Sequence, residues 1–336
     1  MGLEGFSQRW NDFPDYILGV TREIWEDRGV GTLNHTYAPD IPVRSPMGIQ
    51  MGNQAVIAST MATIAEFPDR ELFGEDVIWC GDAASPEGML SSHRLITTAT
   101  HGRDGAFGPI SGKRFTVRVI ADCAARNDTI YDEWLVRDYG GIVRQLGFQP
   151  DAYAGALIER EGGPGRSPMP YLPENDTEVR YTGTGNDNEW GERYADTLTR
   201  LMETDFQVVR QRYDRAVTGE YAGGQSALSW GPVEQFWLGL RSSFPDAKFT
   251  IHHRIGMDAD MLPPRAAVRW SLDGTHSGWG AFGAPTGVRV HVFGMCHAEY
   301  GPFRHPESTE PATIRRECAL YDEVAIWKQI LLQSKG

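Results

Sequence analysis

The sequence is poor in the features that announce most functions. Its four cysteines, Cys80, Cys123, Cys296 and Cys318, form no Cys-x-x-Cys pair. That scatter excludes a zinc ribbon or a redox dithiol and predicts reduced, half-buried thiols in a cytoplasmic protein. No apolar run approaches the ~20 residues that cross a bilayer. Residues 1–10 have neither the basic start nor the apolar core of a signal peptide. Basic residues are the minority, 32 Lys and Arg against 45 Asp and Glu, for a net charge of −13. With no basic run either, nucleic acid and membrane surfaces are not expected partners. The run from Gly108 to Gly112-Lys113 is one residue short of a phosphate loop, and no Ser or Thr follows the lysine. His252-His253 and Cys296-His297 lack metal-ligand spacing, so no metal site is expected. Neither a Gly-x-Ser-x-Gly elbow nor a dinucleotide fingerprint is found.

What the chain does have, it has twice. Thr100-His101-Gly102-Arg103-Asp104-Gly105-Ala106-Phe107-Gly108 returns as Thr275-His276-Ser277-Gly278-Trp279-Gly280-Ala281-Phe282-Gly283, 175 residues later. Arg94 and Arg269 keep that offset, as do Gly112 and Gly287. Phe67-Pro68-Asp69 and Phe244-Pro245-Asp246 are 177 apart. Glu133 and Asp138 match Glu317 and Asp322 at 184, the extra residues falling in a Pro-rich loop around Pro306 and Pro311. Collinear matches over a whole half mean a duplicated domain, and 336 residues suit two domains. The expected division is a first domain over 1–150, a Pro/Gly-rich linker over 151–188 and a second domain over 189–336.

Apolar periodicity predicts helices over 14–28 and from Asn53 to Pro68. Strand-like runs follow near 75–80, 89–100, 114–123 and 129–138, then a short helix over 141–146 that residues 151–161 extend. Pro39 and Pro42 make 37–43 extended or turn-like. The second half repeats the plan: helices over 189–213 and from Pro232 to Pro245, strands near 248–255, 265–276, 287–298 and 313–322, and a last helix over 323–333. Helices followed by an antiparallel meander make the class α+β.

Alternate residues of a strand share a face. Trp134, Val136 and Asp138 form one face of the fourth strand run; Cys318, Leu320 and Asp322 form its counterpart. A carboxylate ending an apolar face suits a general base, because burial raises its pKa; it equally suits the cap of the helix that follows. Both readings stand for Asp138 and Asp322. Glu133 and Glu317 fall on the opposite face and read as solvated or ion-paired. His101 and His276 end strands on the more apolar side. They are open as proton shuttles or oxyanion donors, or as histidines bonded to the backbone. Arg94 and Arg269 are open as anion binders or as ion-pair partners.

Ala38-Pro39-Asp40, Ala65-Glu66-Phe67-Pro68-Asp69, Gly81-Asp82, Arg94, Thr100-His101-Gly102, Gly112-Lys113-Arg114, Glu133-Trp134, Asp138 and Gln145-Leu146-Gly147 follow in an order that resembles the SnoaL-like polyketide cyclases. These belong to the superfamily that also holds ketosteroid isomerase, limonene epoxide hydrolase and nuclear transport factor 2. The resemblance covers 14–148 well and 190–332 more loosely. It implies two tandem cone-shaped α+β barrels, each a curved sheet wrapped around helices with an apolar pocket at its open end. It implies acid–base chemistry without cofactor or metal, in which an Asp on the last strand removes a proton alpha to a carbonyl and the enolate closes a ring. Asp138 and Asp322 match that Asp; His101 and His276 would assist. Trp134, Arg94, Arg44 and Arg269 would contact a small-molecule substrate. Arg44 stands where the cyclases often carry a polar or His residue, and Cys318 replaces Trp134 in the second copy. Relatives commonly dimerise through the outer sheet face. The resemblance thus implies an intramolecular pseudo-dimer and leaves a further homo-oligomer open. A hydrolase or dehydratase that activates water with the same Asp, and a non-catalytic binder, are the alternatives.

Overall fold

The computed structural model describes residues 3–302 and 310–334; the expected loop around Pro306 lies outside them. The chain divides into two compact units, Met1–Gln149 with Tyr171–Gly183, and Pro150–Pro170 with Thr184–Gly336.

In the first unit, α1 (Phe13–Trp25) starts where the Asp12 side chain accepts the Asp15 N–H. Its buried stripe is Phe13, Tyr16, Ile17, Val20 and Ile24, the 3.6-residue repeat expected of a helix laid on a core. A 3₁₀ turn and the short α2 (Leu33–Thr36) lead to β1 (Pro42–Ser45) and β2 (Gly48–Met51). Then come α3 (Asn53–Glu66), β3 (Glu71–Gly81), β4 (Met89–Thr100), β5 (Arg114–Arg126), β6 (Thr129–Arg137) and α4 (Tyr139–Leu146). The sheet runs β2-β1-β6-β5-β4-β3 and is mixed, because β1 joins β6 in parallel. It therefore has six strands where four are legible in the sequence. The extra pair is only four residues a side and opens on Pro42, which a first strand position tolerates. Bulges at Gly74/Asp76 and Ala124/Ala125 bend the sheet, and α1 to α3 close its concave face.

The second unit repeats this order. α5 (Pro150–Arg160) is a separate helix, not an extension of α4, since Gly147 ends α4 in the left-handed region at φ 98°. It packs on α9 (Glu323–Ser334) within the second unit. The predicted helix over 189–213 is two, α6 (Glu189–Met202) and α7 (Gln207–Arg212), broken at Thr204 with φ 69°. After them come β7 (Tyr213–Tyr221), β8 (Gln225–Leu228), α8 (Trp230–Ser243), β9 (Lys248–Met257), β10 (Arg265–Thr275), β11 (Arg289–Gly301) and β12 (Thr313–Tyr321). The sheet order is β8-β7-β12-β11-β10-β9, again mixed. The fold is α+β with two tandem units.

The twice-stated nonapeptide is a loop that the fold needs twice. Gly105 bridges Gly108, and Gly280 bridges Gly283. A Cβ on Gly105 would lie 2.3 Å from the Glu66 carboxyl carbon, and one on Gly280 would lie 2.4 Å from the Gly239 carbonyl oxygen. His101 and His276 each donate and accept backbone hydrogen bonds across the loop neck.

Candidate functional site

A cavity of about 120 Å³ lies in the first unit between the concave sheet face and α1 to α3. Aliphatic side chains, among them Ile17, Val20, Leu72, Leu95 and Val119, make up half of its lining, and polar, charged and aromatic side chains make up the rest. Four acidic or basic residues stand among them: Arg70, His93, Glu133 and Arg137.

Glu133 sits at the middle of β6 and is only 6% exposed. The Tyr37 hydroxyl donates to its carboxylate, while Oε2 has no hydrogen-bond partner among the described residues. Tyr37 is placed for this by its parallel bridge to Ile130 at the start of β6. Burial drives the Glu133 carboxyl up to about 7, against the Tyr37 hydrogen bond and the Arg137 charge, which pull it down. His93, on β4, is held neutral: burial lowers it to about 4, and Ser91 Oγ lies 3.3 Å from its Nδ1. Arg70 follows the Phe67-Pro68-Asp69 turn and is 4% exposed. Its Nε donates to Thr97 Oγ1 at 3.2 Å, and its guanidinium carbon lies 4.8 Å from the Trp25 ring centre.

None of the eight residues singled out from the sequence lines this cavity. Asp138 is the N-cap of α4; its Oδ1 accepts the Gly141 N–H at 2.8 Å. Asp322 does the same work at α9, accepting from Val324 at 2.8 Å and Ala325 at 3.2 Å. His101 is buried with Nδ1 3.0 Å from Ser111 Oγ; its Nε2 is 3.2 Å from Glu66 Oε1, off the hydrogen-bonding direction. Glu66 in turn accepts the Ala106 and Phe107 N–H groups and so fixes the repeated loop. His276 bonds Thr286 Oγ1 in the same place, and burial lowers its pKa. Arg94 is ion-paired with Glu75 at 3.1 Å, and Arg269 is a buried residue of β10. Arg44 is fully buried, paired with Asp132 and, at 2.7 Å, with Asp176; its guanidinium lies 5.0 Å from the Trp134 ring centre. Trp134 meets Tyr181 edge-on. Arg44 and Trp134 thus anchor the 171–183 segment to the convex face of the first sheet, where Asp132 also accepts the Arg180 and Tyr181 N–H groups.

The strand parity was right and the choice of inner face was not. Asp132 and Trp134 share the face that meets the 171–183 segment, and Asp138 lies beyond the strand as the cap of α4. The face of Glu133, Leu135 and Arg137, polar enough to read as solvated, lines the cavity. Both faces of β6 are buried, so hydrophobicity alone could not tell them apart. Two polar residues bracketing Leu135 within a strand flanked by buried strands were the available signal.

The second unit fills the same space. Its counterpart carboxyl, Glu317, is fully buried and saturated. Tyr194 and Tyr213 donate to Oε1 at 2.9 and 2.7 Å, and Tyr221 and Trp237 donate to Oε2 at 2.6 and 3.2 Å. Burial raises its pKa, the four donors opposing. Strand and helix registers match Leu95 to Trp270, Val119 to Gly294, Thr60 to Trp237 and Ser45 to Tyr221. The Trp270 ring occupies the space a Cβ on Gly294 would need, 2.2 Å away. Arg70, His93 and Arg137 become Ala247, Val268 and Tyr321. Of these four acidic or basic residues only the glutamate is kept, with the Tyr37 position as Tyr213, and there it is a core hydrogen-bond hub.

No family model matches the chain, and no curated protein matches it. Solved structures of SnoaL-like polyketide cyclases and nuclear transport factor 2-like proteins do match, each over about 40% of the chain. IdmH from Streptomyces antibioticus is 21% identical with a TM-score of 0.35, covering 40% of this chain and 98% of its own. A SnoaL-like polyketide cyclase from Agrobacterium tumefaciens is 19% identical with a TM-score of 0.33, covering 40% and 97%. A nuclear transport factor 2-like superfamily protein from Salmonella enterica is 11% identical with a TM-score of 0.32, covering 40% and 89%.

Proposed function

We propose that the first unit is an acid–base enzyme acting on a small carbonyl compound in the manner of a polyketide cyclase, with Glu133 as the base in place of Asp138. One observation carries this reading. Glu133 is a buried carboxyl on a cavity wall, with one oxygen engaged by Tyr37 and the other idle. A group that titrates at about 7 is part ionised near neutral pH and can both take and return a proton. In the proposed step the Glu133 carboxylate takes the proton from the carbon alpha to the carbonyl. The C–H electron pair moves into the carbonyl to give an enolate, and neutral His93 stabilises the oxyanion. The enolate then attacks a second carbonyl of the same molecule or takes the proton back at a different carbon. The second unit acts as scaffold.

The runner-up is water activation by the same Glu133, which the hydroxyls of Thr21, Ser45 and Thr60 along the cavity favour. The test is α-proton exchange in D₂O, followed by NMR on a panel of small ketones. Wild type is expected to accelerate exchange and Glu133→Gln to lose the acceleration, with Asp138→Asn unaffected. Exchange that survives Glu133→Gln contradicts the proposal; hydrolysis without exchange selects the runner-up.

A further inference from the structure

The first cavity places two guanidinium groups against one carboxyl. Arg70 is 4% exposed, and the only hydrogen bond of its side chain among the described residues runs from Nε to Thr97; its two terminal nitrogens meet no carboxylate. The half-buried Arg137 side chain likewise makes no hydrogen bond or ion pair among the described residues, though its charge is felt by the Glu133 carboxyl. Burial depresses the Arg70 guanidinium to about 9, and the nearby Arg137 charge adds to it. A buried, uncompensated cation is destabilising, by several kcal/mol where water is excluded, so a fold keeps one for a reason outside its own stability. The other buried arginines of this unit show the contrast: Arg44 has two carboxylates on it, and Arg94 is paired with Glu75. The second unit, whose interior is filled, has discarded both cavity arginines for Ala247 and Tyr321. All this occurs in a protein of net charge −13, where a positive interior is not an accident of composition.

We infer that the ligand of this cavity carries an anionic group, a carboxylate, which Arg70 and Arg137 hold while Glu133 faces the rest of the molecule. The substrate class is then a compact keto acid or a similar carbonyl compound bearing one carboxylate. This rests on the acid–base reading for the role of Glu133 but not for the anion site itself. A carboxylate fits better than a phosphate. The cavity, about 120 Å³, is small beside the roughly 300–1,000 Å³ of most ligand pockets. Glu133, on the same cavity wall, opposes a dianion. Guanidinium groups bind planar carboxylates through paired N–H donors, and the flat face of Trp25 under Arg70 holds that fork in orientation.

The test is calorimetric titration of the full chain with benzoate, benzamide and inorganic phosphate, on wild type, Arg70→Met, Arg137→Met and Glu133→Gln, with melting curves of each. Benzoate is expected to bind wild type at least tenfold tighter than benzamide and tighter than phosphate. Arg70→Met and Arg137→Met should each erase that preference, and Arg70→Met should melt at the wild-type temperature or higher, as removal of an uncompensated charge requires. Glu133→Gln should keep the preference. Benzamide equal to benzoate, phosphate tighter than benzoate, or a preference that survives Arg70→Met overturns the inference. Should Arg70→Met unfold, Arg70→Lys serves: a point charge without the fork is expected to weaken benzoate binding, and unchanged binding overturns the inference. If the preference holds and α-proton exchange does not depend on Glu133, the acid–base reading fails alone. If exchange depends on Glu133 and the preference is missing, the anion site fails alone.

Discussion

Glu133 and Asp138 are both buried carboxyls at β6, and their partners separate their chemistry. Asp138 gives an oxygen to the first turn of α4; Glu133 keeps one idle on a cavity wall. Glu133→Gln, nearly isosteric, is therefore expected to lower α-proton exchange about 10²–10⁴-fold with the fold intact. Asp138→Ala should leave exchange per folded molecule unchanged but lower stability by about 1–2 kcal/mol through the lost cap, with Asp138→Asn close to wild type in denaturant melts. The raised Glu133 carboxyl also has a pH consequence. Its folded-state value of about 7 lies above the ordinary 4.5, so the fold favours the protonated form. That stabilisation is complete below about 4.5 and is lost as pH rises through about 7, on the order of 3 kcal/mol in all. The difference in unfolding free energy between wild type and Glu133→Gln, measured across that window, should shrink from wild type's side as pH rises; a flat difference would contradict it.

At the scale of elements, most of the order was legible in sequence because α1 carries a clean apolar stripe and the long strands are strand-like runs separated by turn residues. The edge pairs β1/β2 and β7/β8 were not: β1, β2 and β8 have four residues each, too few for a pattern, and β7 follows directly on the helix α7. The inner face of β6 was misjudged for a physical reason. The 171–183 segment, a run of turn formers with no periodicity, covers the convex side through Arg44, Asp132 and Trp134. It thereby makes the hydrophobic face the outer one. The repeated His loop drew attention as chemistry, but its recurrence reflects a shared turn, with Gly105 and Gly280 at close backbone approaches. In β12 the same strand position serves the core. Glu317→Leu leaves the donors of Tyr194, Tyr213, Tyr221 and Trp237 without their acceptor and is expected to destabilise by about 3–5 kcal/mol, read in a denaturant melt. A neutral outcome would mean those donors find other partners.

At the scale of the molecule, duplication has let two copies of one fold diverge by volume. The second unit filled its interior with Trp270, Trp237 and Tyr221, using Gly294 to admit the Trp270 indole. The first kept Leu95, Val119, Thr60 and Ser45 and with them a cavity. The second copy's solution should therefore work in the first. Leu95→Trp with Val119→Gly is expected to fold with no lower melting temperature and to lose benzoate binding; retained binding would mean the cavity is not the site. The central claim, that Glu133 is the proton-transfer group of the first cavity, is tested most directly by a carboxyl-carbon NMR titration of Glu133, assigned by its absence in Glu133→Gln. A midpoint near 7 is the expected result. A midpoint at or below the ordinary 4.5 would contradict it, placing Glu133 in an ion pair or in water and leaving the cavity without a base.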